Sequence, residues 1–180
     1  MSITDVYPTR TKVGQARQTD LLRLAEWRNQ YEVLTGVRNN LGLSESQIER
    51  TLIVWEVIGG NEVCGLDTDE ATSHGSRTRY NERRRCVILG ADAFPGEAVD
   101  PRSSMSMTAC LVHELAHAER HLMGFDRPVD LPHKRVDEAE ASLHASFNSV
   151  IEKRDRCDLV ADATARLQEW SAQYCGENET

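Results

Sequence analysis

Apolar residues recur every three or four positions in five stretches of the chain, which is the spacing of a helix with one buried face. The first stretch begins at Thr19 or Asp20 and ends near Asn39–Asn40, and the last begins at Asp158. The second begins at a capping-box signal near Ser44, although its β-branched residues also suit a strand. The pattern therefore predicts about five helices.

Short apolar runs bounded by glycine and proline predict a small mixed sheet of about three or four strands between residues 51 and 94. The clearest of these runs is Cys86–Ala91, and Arg77–Tyr80 is suited to pair with it. Helices and a segregated sheet indicate an α+β fold. A single domain over residues 19–176 is expected, preceded by an irregular polar segment over residues 1–18.

The third stretch contains the sequence His113-Glu114-Leu-Ala-His117, with two histidines four residues apart. Residues at this spacing are neighbours on one helix face, so both imidazoles can reach one metal ion. Glu114 can then accept a proton from a water molecule that the metal has acidified. Serine and threonine residues before this stretch and Gly124 after it are suited to begin and end a helix. The sequence therefore predicts a zinc site with Glu114 as general base.

A catalytic zinc needs a third protein ligand, and the fourth stretch offers two glutamates. At ~100° per residue, Glu140 lies within about 20° of the apolar position Phe147, whereas Glu138 lies on the opposite side. Glu140 is therefore favoured as the ligand over Glu138, and His144 could orient a ligand or stabilise an oxyanion. The apolar stripe on which this ranking depends consists of Val136, Leu143, Phe147 and Val150.

The succession of an apolar strand at Cys86, the His113–His117 motif and the Glu138–Ala141 run resembles the zincin metallopeptidases of the gluzincin type. More narrowly, residues 86–147 are similar to ImmA/IrrE-like regulatory metallopeptidases and to short effector-type zinc proteases. The resemblance implies a minimal zincin-like domain with His113, His117 and a glutamate of the later helix as zinc ligands. It also implies cleavage of a few protein targets.

The net charge of −8 argues against wholesale binding of nucleic acid or anionic membranes. An arginine cluster over residues 77–85 could contact an acidic partner, but it is read as a solvated strand edge beside an acidic loop. The N-terminus lacks the basic and apolar regions of a signal peptide, so a cytoplasmic location is expected. Five cysteines without a Cys-x-x-Cys pair argue against a disulfide scaffold.

Together these features predict a zinc-dependent endopeptidase that holds a protein or peptide substrate along an edge strand near Cys86–Ala91. Arg127, His133 and Arg135 are further candidates to bind a substrate carboxylate or the oxyanion. Three alternatives stay open at this point. The domain could bind zinc as a non-catalytic interaction or sensor module, or it could be a zinc amidohydrolase acting on a non-peptide substrate. It could also bind no metal and be a helical structural or partner-binding protein.

Overall fold

A computed structural model of the protein describes residues 36–95, 98–103 and 105–174, and this part of the chain has an α+β fold. It contains four α-helices, five short strands and two single 3-10 turns at Gly60–Glu62 and Ala91–Ala93. The helices are α1 (Glu45–Val57), α2 (Met107–Leu122), α3 (Leu131–Ser146) and α4 (Lys153–Tyr174). The strands are β1 (Gly36–Arg38), β2 (Gly65–Asp67), β3 (Arg79–Asn81), β4 (Cys86–Ile88) and β5 (Ala98–Ser103).

The strands form two small sheets. In the three-stranded sheet the order is β2-β4-β3, with β4 parallel to β2 and antiparallel to β3. The second sheet pairs β1 antiparallel with β5. The prediction that the run beginning at Cys86 is an edge strand is therefore wrong, because β4 hydrogen-bonds to a neighbour on each side. The edge strand on the side of α2 is β3, which contacts this helix.

Gly90 shows why no peptide can approach the chain just after β4. A Cβ atom at Gly90 would lie 2.4 Å from the backbone carbon of Arg77. The two segments are also joined by hydrogen bonds from Gly90 N to Thr78 Oγ1 and from Thr78 Oγ1 to Gly90 O. Gly90 thus permits close packing between two segments of this chain, its own and that of Arg77 and Thr78.

Side-chain caps fix where the helices begin. Ser44 accepts from the backbone N–H of Gln47, and the Gln47 side chain accepts in return from the Ser44 N–H, which completes a capping box. Ser106 and Asp130 are simple N-caps of α2 and α3, since their side chains accept from the backbone N–H groups of Ala109 and His133. Gly124, just beyond α2, has a φ of 91°, a left-handed conformation that glycine adopts without strain. The helices predicted near Ser44 and around His113 are confirmed.

Three boundaries differ from the predictions. The first predicted helix lies mainly outside the described residues, and its expected end near Asn39 is occupied by β1 at Gly36–Arg38. The helix expected to continue to Val150 ends at Ser146, and the last helix begins at Lys153 rather than Asp158. The predicted irregular segment over residues 1–18 also lies outside the described residues.

The hydrophobic core lies between α1, the three-stranded sheet and the buried face of α2. Its largest fully buried side chains lie in or next to these elements, with Leu159 added from α4: Trp55, Ile58, Ile88, Leu89, Met107, Leu111, Leu115 and Leu159. On the other side, α2 packs on α3, and α3 packs extensively on α4. One face of α2 is thus fixed by the core, while the opposite face meets the two C-terminal helices. Among the described residues, no helix has the length and apolar character needed to cross a membrane.

Candidate metal centre

Two histidines of α2 lie side by side at the interface between α2 and α3. The ring centroids of His113 and His117 are 4.9 Å apart, with the ring planes at 86°. Both side chains are buried, at 5% exposure each. The i, i+4 spacing places the two rings on one helix face, as the sequence predicted.

Glu138 of α3 completes a three-residue group with these histidines. Its Oε2 lies 3.2 Å from His113 Nε2, and its Oε1 lies 3.6 Å from His117 Nε2. One ligand atom from each of the three residues lies within 4.8 Å of the others, which is compatible with a shared metal ion. Two imidazoles and one carboxylate are a ligand set that zinc and related divalent ions accept. The structure therefore assembles a candidate metal centre from two helices.

The structure reverses the predicted order of the two glutamates. Glu140 pairs one turn further along α2, where its Oε2 accepts a hydrogen bond of 2.5 Å from Arg120, and its side chain is 46% exposed. The ranking failed because it aligned Glu140 with Phe147, which is 62% exposed and caps the end of α3. The buried face instead carries Ala141, Ser142 and Ala145, which follow Glu138 at helical spacing.

A chain of polar groups orients His113. Ser142 Oγ donates a 2.6 Å hydrogen bond to Asp162 Oδ2 on α4, and Ser142 Oγ is also 2.9 Å from His113 Nδ1. Because the serine proton is given to the carboxylate, the Ser142 oxygen accepts from His113 Nδ1–H. The lone pair of His113 is then on Nε2, the atom that faces Glu138. Arg166 closes the chain with a 2.7 Å contact to Asp162.

His117 has a different environment. Its Nδ1 lies 3.6 Å from Asp137 Oδ2, and its Nε2 is buried without a hydrogen-bond partner. Burial lowers the pKa of His117 to about 3, with a further contribution from His113, and burial also lowers the pKa of His113. Both imidazoles are therefore neutral at neutral pH, and two nitrogen lone pairs face a carboxylate. A buried group of acceptors with an unpartnered nitrogen fits a cation.

Glu114 is held against the edge of the sheet. Its Oε2 accepts a 2.7 Å hydrogen bond from the backbone N–H of Tyr80, and the side chain is largely buried. Tyr80 lies opposite Val87, and its N–H points away from β4, on the free side of the strand. The predicted base thus sits between the helix that carries the two histidines and the edge strand β3.

The structure separates His144 from the metal centre. Its Nε2 lies 2.8 Å from Glu119 Oε2, on the same flank of α3 as Glu140. The predicted role of His144 in orienting a ligand therefore lacks support from its contacts. His133 pairs with Asp130, the N-cap of its own helix, and Arg135 pairs with Glu169 of α4. Of the predicted substrate-binding candidates, only Arg127 reaches the centre, where its guanidinium contacts Glu138.

The arginine cluster over residues 77–85 is mostly neutralised by carboxylates. Arg77 pairs with Asp92, Arg79 with Glu70 and Arg84 with Asp67, at 2.5–2.9 Å. This arrangement favours the interpretation of the cluster as a solvated strand edge rather than a surface for nucleic acid.

Three residues that support the centre were not singled out from the sequence: Ser142, Asp162 and Arg166. The only signal for them is spacing. Ser142 follows Glu138 by one helical turn, and Asp162 and Arg166 are four residues apart on the last helix. A polar residue on an otherwise buried helix face needs a hydrogen-bond partner, so Ser142 could have been proposed on this ground as a supporting residue.

The four cysteines among the described residues are free thiols. Burial raises the pKa of Cys110 to about 12, and Cys110 is not part of the three-residue group. It is a partly buried, protonated residue of α2. Comparisons of the chain with known protein families, with curated proteins and with solved structures each find no match.

Proposed function

We propose that this protein is a metal-dependent peptidase with zinc as its ion. The observation that carries the proposal is the convergence of His113, His117 and Glu138 around the unpartnered Nε2 of His117. Two neutral histidines and one carboxylate leave a coordination position for substrate and water, which is typical of catalytic zinc sites. When bound, zinc would supply the Lewis acidity that activates water and polarises a carbonyl group.

Glu114 is the general base in this proposal. It neighbours the first histidine in the sequence, it is largely buried, and its carboxylate lies at the edge of β3. It would take a proton from the attacking water and later give it to the leaving amine. Ser142 and Asp162 keep the Nε2 lone pair of His113 directed at Glu138. An ion that binds would therefore contact a ligand that is already oriented.

Two features favour a polypeptide as the substrate. The edge strand β3 lies beside α2, so a peptide added to this edge would pass close to Glu114. The connection between α2 and α3 exposes several large apolar side chains beside the centre, a surface typical of contact with another macromolecule. These side chains are Leu122, Met123, Phe125, Val129 and Leu131.

Metal analysis combined with a peptide-library digest would test the proposal. We expect the purified protein to contain about one zinc per chain and to generate new peptide termini, detected by mass spectrometry. Glu114→Gln is the matched control, because the amide oxygen can still accept from Tyr80 N–H while the base is removed. This variant should retain zinc and lose on the order of 100-fold or more in kcat/KM. A protein that takes up no metal would contradict the proposal.

A second candidate function is a metal-binding module without catalysis. It is favoured by one observation, namely that Glu114 already has a structural role as acceptor for the Tyr80 N–H. In that case the protein would bind metal, the library would not be cleaved, and Glu114→Gln would leave the biological activity unchanged. Comparing the unchanged protein with Glu114→Gln in the peptide-library digest and in a cellular assay therefore distinguishes the two candidate functions.

A further inference from the structure

Three arginines lie beside the carboxylates near the metal centre, which are Asp137, Glu138 and Asp162. Their side chains differ in exposure. The Arg120 side chain is 8% exposed and pairs with Asp137 and Glu140. The Arg166 side chain is 17% exposed and pairs with Asp162 at 2.7 Å. The Arg127 side chain is 32% exposed, so it is the one of the three that a bound molecule can reach.

Arg127 is fixed at both ends. Its backbone N–H donates a 3.0 Å hydrogen bond to Glu82 Oε1 in the turn between β3 and β4. Its guanidinium contacts Glu138 Oε1, the same oxygen that lies 3.6 Å from His117 Nε2, and approaches Asp137 at 3.8 Å. The connection from α2 to α3 is thereby tied to the sheet, with a cation next to the ligand group.

From this position we infer that Arg127 binds the anionic oxygen that develops on the substrate carbonyl, an inference that rests on the proposed function. When the oxygen of water bonds to the carbonyl carbon, the C=O π electrons move to the carbonyl oxygen and a water proton passes to Glu114. The guanidinium donates to that oxygen. The electron pair then re-forms C=O, the C–N bond breaks, and the amine leaves with the proton from Glu114.

The planar guanidinium is suited to this role because it has five N–H donors in a fixed geometry. Glu138 occupies part of this capacity. The contact with Glu138 is made by Nη2 and the approach to Asp137 by Nε, so within the described residues Nη1 is left to donate to an oxygen of the substrate. Arg135 does not take this place in the structure, because it pairs with Glu169 of α4 at 3.2 Å. Arg135 is nevertheless 33% exposed and paired with a glutamate, so it is a matched control for Arg127.

Anion binding to the cobalt-loaded protein tests the role of Arg127 without requiring a known substrate. Acetohydroxamate, a small anionic oxygen ligand, is titrated while the visible absorption of Co²⁺ is recorded. We expect Arg127→Ala to weaken hydroxamate binding by about 10-fold or more, because a charge-assisted hydrogen bond is lost. Arg127→Lys, which keeps the charge without the fork, should lose less, and Arg135→Ala should match the unchanged protein.

The outcomes that would overturn the inference are distinct. Stoichiometric cobalt with equal hydroxamate affinity in all proteins would remove the role of Arg127 and leave the proposed function intact. Loss of cobalt from both Arg127 variants, but not from Arg135→Ala, would mean that Arg127 only supports the ligand Glu138. If the unchanged protein takes up no cobalt and no zinc, the proposed function fails and this inference fails with it.

Discussion

Glu138 and Glu140 stand two residues apart on α3 and both meet an arginine, but only one of them also faces imidazoles. Glu140 pairs with Arg120 at 2.5 Å. Glu138 contacts Arg127 and also faces His113 and His117, which burial keeps neutral, with His113 Nε2 at 3.2 Å. A carboxylate that faces nitrogen lone pairs can share a metal cation with them. The two neutral imidazoles thus mark the flank of the helix that can bind a metal.

The largest expected effect is the loss of zinc affinity when the carboxylate of Glu138 is removed. Glu138→Gln should lower zinc affinity on the order of 1,000-fold, since a direct ligand matters more than outer partners, which contribute about 10–100-fold. Glu140→Gln should leave zinc affinity within about threefold, because Glu140 contacts Arg120 instead. Competition titration with a chromogenic chelator measures both constants. Equal losses in the two variants would refute the assignment of Glu138.

The next effect lies on the Arg120 side. Arg120→Ala removes the cation that pairs with Asp137, whose side chain is only 7% exposed. Leaving this buried carboxylate with only the more distant Arg127, at 3.8 Å, should reduce the free energy of unfolding by about 3 kcal/mol. Glu140→Gln removes the half-exposed carboxylate that pairs with the same arginine, and it should reduce the free energy of unfolding by less than about 1 kcal/mol. Urea denaturation followed by circular dichroism compares the two variants, and similar midpoints would contradict the burial argument.

A smaller effect is expected from the residue that orients His113. Ser142→Ala removes the acceptor of His113 Nδ1–H and should weaken zinc binding by about 10–100-fold. Ser146→Ala is the control on the same helix, because Ser146 Oγ donates only to the carbonyl of Leu143. The affinities are measured in the same chelator competition. If Ser142→Ala binds zinc as tightly as the control, the polar chain through Asp162 does not prepare His113 for the metal.

The smallest effect is the pH dependence of the metal-free protein. His117 has a pKa of about 3 when folded against a reference value of 6.5, so the unfolded chain binds the extra proton. Its stabilising contribution is complete above about pH 6.5 and is lost as the pH falls, by about 1.4 kcal/mol at pH ~5.5. The lowered pKa of His113 adds in the same direction. Urea unfolding of the unchanged protein and of His117→Gln, each with a chelator present, isolates the contribution of His117 to the free energy of unfolding. Identical pH profiles for the two proteins would contradict this prediction.

Some parts of this structure follow from local sequence signals. The capping box at Ser44, the N-cap at Ser106 and the glycine after α2 act within a few residues of one another, so the ends of α1 and α2 could be predicted. The geometry of His113 and His117 is likewise local, because the helix itself sets it. The α+β class followed from the same elements.

The third ligand could not be chosen in this way, because the choice depends on which face of α3 meets α2 and α4. That face is lined by alanine and serine, so hydrophobicity does not mark it, and Phe147 pointed to the wrong side. Strand order posed the same difficulty. The central position of β4 depends on a parallel partner at Gly65–Asp67, about twenty residues earlier in the sequence, for which no short-range signal exists.

The candidate ligands and the residues that support them come from α2, α3 and α4, which together span the chain from Met107 to Tyr174. An ion held by the first two helices and backed by Asp162 of the third would bind only the folded chain. Folding would then be linked to metal supply, with about 4 kcal/mol gained when free metal is 1,000 times the dissociation constant. In a cell, metal scarcity would then lower the abundance of this protein by exposing it to degradation.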